Sequence, residues 1–199
     1  MNLNQRLEQH FEASLKAKQD TLDAGLDALA AAARACVARL QAGGKIMICG
    51  NGGSAADAQH FSAELLNRFV RERRPLASVA LTTDSSTLTA VANDYSYEEV
   101  FSKQVEGLGR PEDLLIGIST SGNSPNVIRA IEAARERGIA VITLTGKDGG
   151  RIAREARPGE IELRVPHAET ARIQEVHIVF LHCLCDAIDE ILFGELDAG

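Results

Sequence analysis

A chain of 199 residues is long enough for one well-buried domain with an added helical segment. The hydrophobic fraction is 45% and aromatics are only 4%, which describes an Ala-, Val-, Ile- and Leu-rich α/β core. A formal charge of −7 argues against a broad nucleic-acid or membrane footprint, so an anionic ligand must be held by a few placed groups.

Residues 1–44 read as helical throughout. Leu3, Leu7, Phe11 and Leu15 form one apolar stripe, and Leu22 to Leu40 is rich in Ala and Leu before Ala42-Gly43-Gly44 ends the run. Such an arm outside an α/β unit needs something to cover its stripe, and a second copy of the chain is the economical answer. The expectation is a homo-oligomer. No apolar run approaches a membrane span, and MNLNQRLEQHFEAS has no signal-peptide core, so a soluble cytoplasmic protein is expected. Cys36, Cys49, Cys183 and Cys185 read as reduced packing residues. The last two form a C-x-C inside a helical stretch, point to different faces and make a poor metal clamp.

From Lys45 the pattern alternates. KIMIC (45–49), SVAL (78–81), LLIGI (114–118), IAVITLTG (139–146) and EIELRV (160–165) read as strands. Helical stretches separate them: GNGGSAADAQHFSAELLNRF, DSSTLTAVAND with SYEEVFSKQVEGL, and the run from Pro125 to Gly138. TARIQEVHIVFLHCLCDAIDEILF closes the chain as a long helix. This order predicts a parallel sheet with helices on both faces, with residues 45–199 as one domain carrying the 1–44 arm. Ligands of such sheets bind beyond the carboxyl ends of the strands, where the strand order reverses. Every unusual loop of the chain falls at that edge.

One of these loops is STSGNS, where Ser119, Thr120, Ser121 and Ser124 surround a Gly-Asn pair between a buried strand and a helix opened by Pro125. A helix cap needs one hydroxyl, and four within six residues beside a helix N-terminus form a cradle for a phosphate or similar anion. The loop CGNGGS competes for a different reading. Gly50, Gly52 and Ala55 fit the loose dinucleotide pattern G-x-G-x-x-A, and Asp84 stands where a ribose-binding acid would. Against that, Asn51, Gly53 and Ser54 make a compact polar turn, and a dinucleotide site has no use for the second cradle. Two polar turns favour a small phosphorylated ligand.

His60 and Glu64 stand four apart and share one helix face. Gln174, Glu175, His177 and His182 lie on the last helix. A His and a carboxylate at this spacing are a workable half of a metal site and equally a surface pair. Gln174 and His182, eight residues apart, lie ~12 Å apart along a regular helix. Either Gln174 occupies an irregular helix start or neighbouring subunits complete the site. Asn93 and Asp94, in VANDYS, add polar groups of the kind that bind sugar hydroxyls.

These motifs carry a resemblance. The chain resembles the sugar isomerase (SIS) domain proteins, and among them the phosphoheptose isomerases, through GGKIMICGNGGSAADAQHF, the AND of VANDYS, GISTSGNSPNVIRAIEAARERG, VITLTGKDGG and RIQEVHI. The resemblance implies a three-layer αβα sandwich on a five-stranded flavodoxin-like sheet, a homotetramer and one zinc per subunit. It implies conversion of sedoheptulose 7-phosphate to D-glycero-D-manno-heptose 7-phosphate for lipopolysaccharide core synthesis. His60, Glu64, Gln174 and His182 would hold the zinc, and Ser119, Thr120, Ser121 and Ser124 the phosphate. Asn51, Gly52, Gly53, Ser54, Asn93 and Asp94 would line the sugar, with Glu64 and Gln174 also reaching it. Glu64 would act as base and His182 as acid. The chain is also similar to a non-catalytic relative that binds the replication initiator DnaA, in AQHF…NRF, LTTD…LTAVAND and CLCDAID. Those relatives lack the acid at the position of Glu64 and the histidine at that of His182.

Overall fold

The structure is a computed structural model and describes residues 2–194. Met1 and residues 195–199, counted above in the arm and the domain, lie outside the described residues. Five strands, β1 (Ile46–Cys49), β2 (Ser78–Ala80), β3 (Leu114–Ser119), β4 (Ala140–Gly146) and β5 (Ile161–Val165), pair in parallel in the order β2-β1-β3-β4-β5. This is the flavodoxin-like order, and strand order reverses between β1 and β3. The three-layer αβα sandwich expected from the sequence is the fold observed.

Side chains of a strand alternate between its faces, so one apolar run supplies two cores. Ile46, Ile48, Leu114, Ile116, Ile142 and Leu144 face one helical layer: α1 (Leu3–Asp23), α2 (Asp27–Gln41), α3 (Gly53–Leu66) and α8 (Thr170–Phe193). Met47, Cys49, Leu115 and Val141 face the other: α4 (Ser85–Asp94), α5 (Ser102–Leu108), α6 (Pro125–Glu136) and the short α7 (Gly150–Arg154).

Several boundaries differ from the sequence reading. The N-terminal arm is two helices, because Gly25 takes φ +95° after the last turn of α1. Only the first part of α1 projects from the core; further along, Ala17 and Thr21 are buried. The small face of α2, with Ala32, Ala33, Cys36 and Val37 buried, packs in the same cluster as the sheet. SYEEVFSKQVEGL splits into a 3-10 turn at Tyr97–Glu99 and α5. The four cysteines are free; Cys36, Cys49 and Cys185 are buried as expected, whereas Cys183 is exposed and is no core residue.

The exposed apolar stripe is real: Leu3 is 70% exposed, Phe11 75% and Leu15 67%. No helix among the described residues is long and apolar enough to cross a membrane.

Candidate active site

The CGNGGS and STSGNS turns follow β1 and β3, the two strands that flank the reversal of strand order. Each opens a helix whose N-cap residue makes no side-chain capping bond among the described residues; in α6 the Val127 N–H donates to Asn126 Oδ1 at 3.0 Å. The orphan N–H groups and positive ends of α3 and α6 therefore face the same edge of the sheet.

The hydroxyl cup is built from within. Ser119 Oγ lies 2.8 Å from Ser124 Oγ and accepts the Ser124 N–H at 3.3 Å. The Gly122 N–H bonds the Ser119 carbonyl, and the Asn123 N–H bonds Ser121 Oγ. Gly122 has φ +65°, and a Cβ there would stand 1.9 Å from the Gly149 carbonyl oxygen. The KDGG turn after β4 is thus pressed onto the cup, and the Arg151 N–H bonds Asn123 Oδ1 at 2.9 Å. Thr120 and Ser121 are half-buried.

Asn126, which the sequence reading passed over, joins the two turns. Its amide and that of Asn51 exchange two hydrogen bonds of 2.8 Å, and Asn126 is 2% exposed. Its position at the second residue of α6, directly after the cup, was the available signal. Tyr97 donates its hydroxyl to Asn51 Oδ1 at 3.1 Å, which ties the segment after α4 to the same turn. Asn93 and Asp94, at the exposed end of α4, bond each other. Ser54 is turned inward at 4% exposure, and a Cβ on Gly50 would meet its Cβ at 2.8 Å, so it supports the turn from beneath. Gly52 caps α3 with φ +56°. Gly53 leaves room for Gln174, whose Nε2 lies 2.6 Å from where a Gly53 Cβ would be.

Seven residues, or about 10.5 Å, further along α3 stands the cluster of His60, Glu64 and His182. His60 Nε2 lies 3.1 Å from Glu64 Oε1 and 3.3 Å from His182 Nε2. The Phe69 ring stacks on His182 with centroids 5.4 Å apart. Asp57, one turn before His60, was also missed; burial pushes its carboxyl up from the ordinary value, while His60 and His182 pull it back down. Gln174 is set apart from this cluster within one chain, two turns back along α8 and against Gly53.

The donor chemistry fits a zinc ion. Two nitrogens on one tetrahedral zinc, each at 2.0–2.1 Å, stand roughly 3.3 Å apart, which is the His60–His182 spacing. The cage is not closed: among the described residues no three such side chains converge on one point.

Asp84 is spoken for. Its carboxylate accepts the Thr87 N–H at 3.0 Å and the Thr87 hydroxyl at 2.6 Å as the cap of α4, which removes the ribose-binding acid of the dinucleotide reading.

The SIS domain family matches residues 9–146. The chain belongs to the SIS-domain family. Relatives reach across its length: it is 58% identical to a phosphoheptose isomerase of Alkalilimnicola ehrlichii over 98% of this chain and 99% of that one. It is 57% identical to that of Aromatoleum aromaticum over 99% and 100%. Among solved structures, the phosphoheptose isomerase GmhA from Neisseria gonorrhoeae superposes with a TM-score of 0.91 at 52% identity, covering 95% of this chain and all of that one. A phosphoheptose isomerase from Francisella tularensis gives 0.93 at 46% identity, covering 96% and 100%. In this SIS domain the two polar turns and the histidine cluster therefore sit on a scaffold shared, at high identity, with sugar-phosphate isomerases.

Proposed function

We propose that this chain is an aldose–ketose isomerase that interconverts sedoheptulose 7-phosphate and D-glycero-D-manno-heptose 7-phosphate. The observation that carries the reading is the coexistence, on a scaffold 58% identical to a phosphoheptose isomerase, of a hydroxyl cup at the start of α6 and a Glu64–His60–His182 cluster two turns along α3, whose own start lies at the same sheet edge.

The reaction moves one proton between C1 and C2 and another between their oxygens. It needs a base at carbon, an acid at oxygen and positive charge beside the enediolate oxygen. The cup of Ser119, Thr120, Ser121 and Ser124 takes the phosphate, with the N-terminus of α6 behind it. Asn51, Gly52, Gly53, Asn93 and Asp94 line the chain of hydroxyls, and Gln174 reaches in beside Gly53. Glu64 is the base at carbon, and His182 delivers and removes the proton at oxygen. His60, Glu64 and His182, with Gln174 from this or a neighbouring subunit, would hold zinc; a lone pair given to the ion cannot carry a proton, so Glu64 and His182 would each serve one role at a time. When bound, zinc supplies Lewis acidity at the enediolate oxygen. Anchoring the phosphate converts binding energy at the far end of the sugar into alignment at C1 and C2.

The uncovered stripe of α1 supports a homo-oligomer, which we take as a tetramer. Charges placed at Leu7 and Phe11, both more than half exposed, should split it, as light scattering would report. A cytoplasmic place in lipopolysaccharide core synthesis goes with the substrate. The DnaA-binding adaptor reading is not favoured, because both proton-transfer residues are in place and the relatives named above are isomerases.

The test is direct. Purified protein supplied with zinc should convert sedoheptulose 7-phosphate to the aldose. Binding of the heptulose phosphate without interconversion would end the enzyme reading.

A further inference from the structure

Arg73 is a buried cation that the reaction above does not use. It lies in the irregular segment after α3, yet its side chain is 2% exposed and that of its partner Asp189 is 4%. Its Nε donates to Asp189 Oδ1 at 2.8 Å. Its Nη2 donates to the Glu64 carbonyl at 2.9 Å, and its Nη1 to the carbonyls of Leu65 at 2.8 Å and Asn67 at 3.0 Å. These are carbonyls that the end of α3 leaves without an intrahelical donor, and a cation there also meets the negative end of the helix.

Asp189 and His182 are seven residues apart on α8, so they share a face two turns apart. One guanidinium therefore ties the turn that carries Glu64 to the helix that carries His182. A buried ion pair is an inefficient way to hold helices together, because desolvation offsets the attraction, and apolar side chains of equal volume often do as well. What apolar contacts lack is direction. The planar fork of an arginine fixes the carbonyls it bonds in distance and angle.

We propose that Arg73, anchored by Asp189, is a positioning residue for proton transfer: it sets the register of α3 on α8 and so holds Glu64 against His60 and His182. This rests on the isomerase reading above. Arg71 supplies a contrast. It bonds Glu190 and the Phe193 carbonyl, gripping α8 at a half-exposed site.

The experiment uses the zinc-loaded protein and three variants. Arg73→Met combined with Asp189→Leu removes both charges together, so no ion is stranded. Arg73→Lys keeps the charge and loses the fork. Arg71→Gln is the control. The double variant leaves the carbonyls of Glu64, Leu65 and Asn67 without this donor, so it should fold with a lowered melting temperature. It should keep its KM for sedoheptulose 7-phosphate and lose roughly 10- to 100-fold in kcat, the effect of displacing a reacting group by about an ångström. Arg73→Lys should fall between it and wild type, and Arg71→Gln should match wild type. In the metal-free protein the ring NMR signals of His60 and His182 should move in the double variant and stay in Arg71→Gln. A folded double variant with wild-type kcat and wild-type histidine signals would overturn the proposal. If the double variant does not fold, Arg73→Lys decides by the same two readouts. If the wild-type protein has no turnover, it is the isomerase reading that fails, and the histidine signals still decide whether Arg73 positions the cluster.

Discussion

The cup at residues 119–124 and the cluster of His60, Glu64 and His182 stand on the same scaffold, yet they are made differently. The cup is backbone architecture. One left-handed glycine, a turn hydrogen bond and the KDGG loop pressed against Gly122 shape it before any ligand arrives. The cluster is made of side chains from two helices 122 residues apart in sequence, with His60 46% exposed. A tetrahedral anion asks for many weak donors in a fixed shell, and a local turn can supply that. Proton transfer asks for a few groups at set distances, and their geometry is only as good as the packing of α3 on α8.

The largest expected effect lies in the cluster. In the proposed reaction Glu64→Gln and His182→Asn each remove a proton-transfer group, and each should lower kcat by ~10²–10⁴-fold, or more where both would also hold the metal. Phosphosugar affinity, measured by calorimetry, should largely survive. If affinity falls as steeply as turnover, the two regions are one unit and the division drawn here fails.

The converse substitution is Gly122→Ala. The new Cβ would enter left-handed backbone and stand 1.9 Å from the Gly149 oxygen, so the KDGG turn must give way. Urea denaturation should show a loss of about 3 kcal/mol or more, together with weakened phosphate binding. Zinc affinity should be unchanged, because His60 and His182 lie on the opposite layer of the sheet from α6 and α7. Altered zinc affinity would show that the cup and the cluster are mechanically coupled.

This difference in construction also explains what could be read from the sequence. All five strands and the STSGNS turn follow from local patterns: apolar runs, a proline at the helix start, hydroxyls beside glycine. The i, i+4 pair of His60 and Glu64 was visible for the same reason. What was hidden depends on contacts between distant segments. Asn126 looked like any residue in a first helical turn until Asn51 was found opposite it. Arg73 sat in a run of arginines, ERR, with nothing to separate the buried one from its exposed neighbours. The helix break at Gly25 was legible in principle, since glycine ends helices, but the Ala- and Leu-rich pattern runs on through it.

A smaller effect should come from the cup hydroxyls. Ser119→Ala with Ser121→Ala removes donors and also the acceptors of the Ser124 and Asn123 N–H groups, while the Gly122 N–H bond to the Ser119 carbonyl still holds the turn. Affinity for the phosphosugar should weaken by about 1.5–3 kcal/mol for each hydrogen bond lost to a charged oxygen, and kcat at saturation should change less. Unchanged affinity would move the phosphate elsewhere and leave the four hydroxyls without a ligand.

The last and smallest effect concerns the joint between the two regions. His177 lies on α8 between Gln174 and His182, fully buried, with Nε2 2.9 Å from the Thr145 carbonyl at the end of β4. A carbonyl only accepts, so Nε2 carries the proton and donates, while Nδ1 is buried with no partner among the described residues. Burial holds the imidazole down at about 4, against an ordinary value of 6.5, with the Thr145 carbonyl opposing the shift. The sign follows from which state binds the extra proton. Between these two values the unfolded chain is protonated at this site and the native one is not, so the contribution to stability is complete above pH 6.5, is lost as pH falls toward 4, and changes no further below that. The full swing is at most about 3.4 kcal/mol. Carboxylates titrate in the same window, so wild type must be compared with His177→Gln, which keeps a donor near Thr145 and cannot ionise. The stability difference between the two, followed by denaturant melts from pH 4 to 7.5, should fall with pH below 6.5 and lie flat above it. A difference that is flat throughout would mean that His177 titrates normally, and that α8 is not sealed against the strand end that carries the KDGG turn.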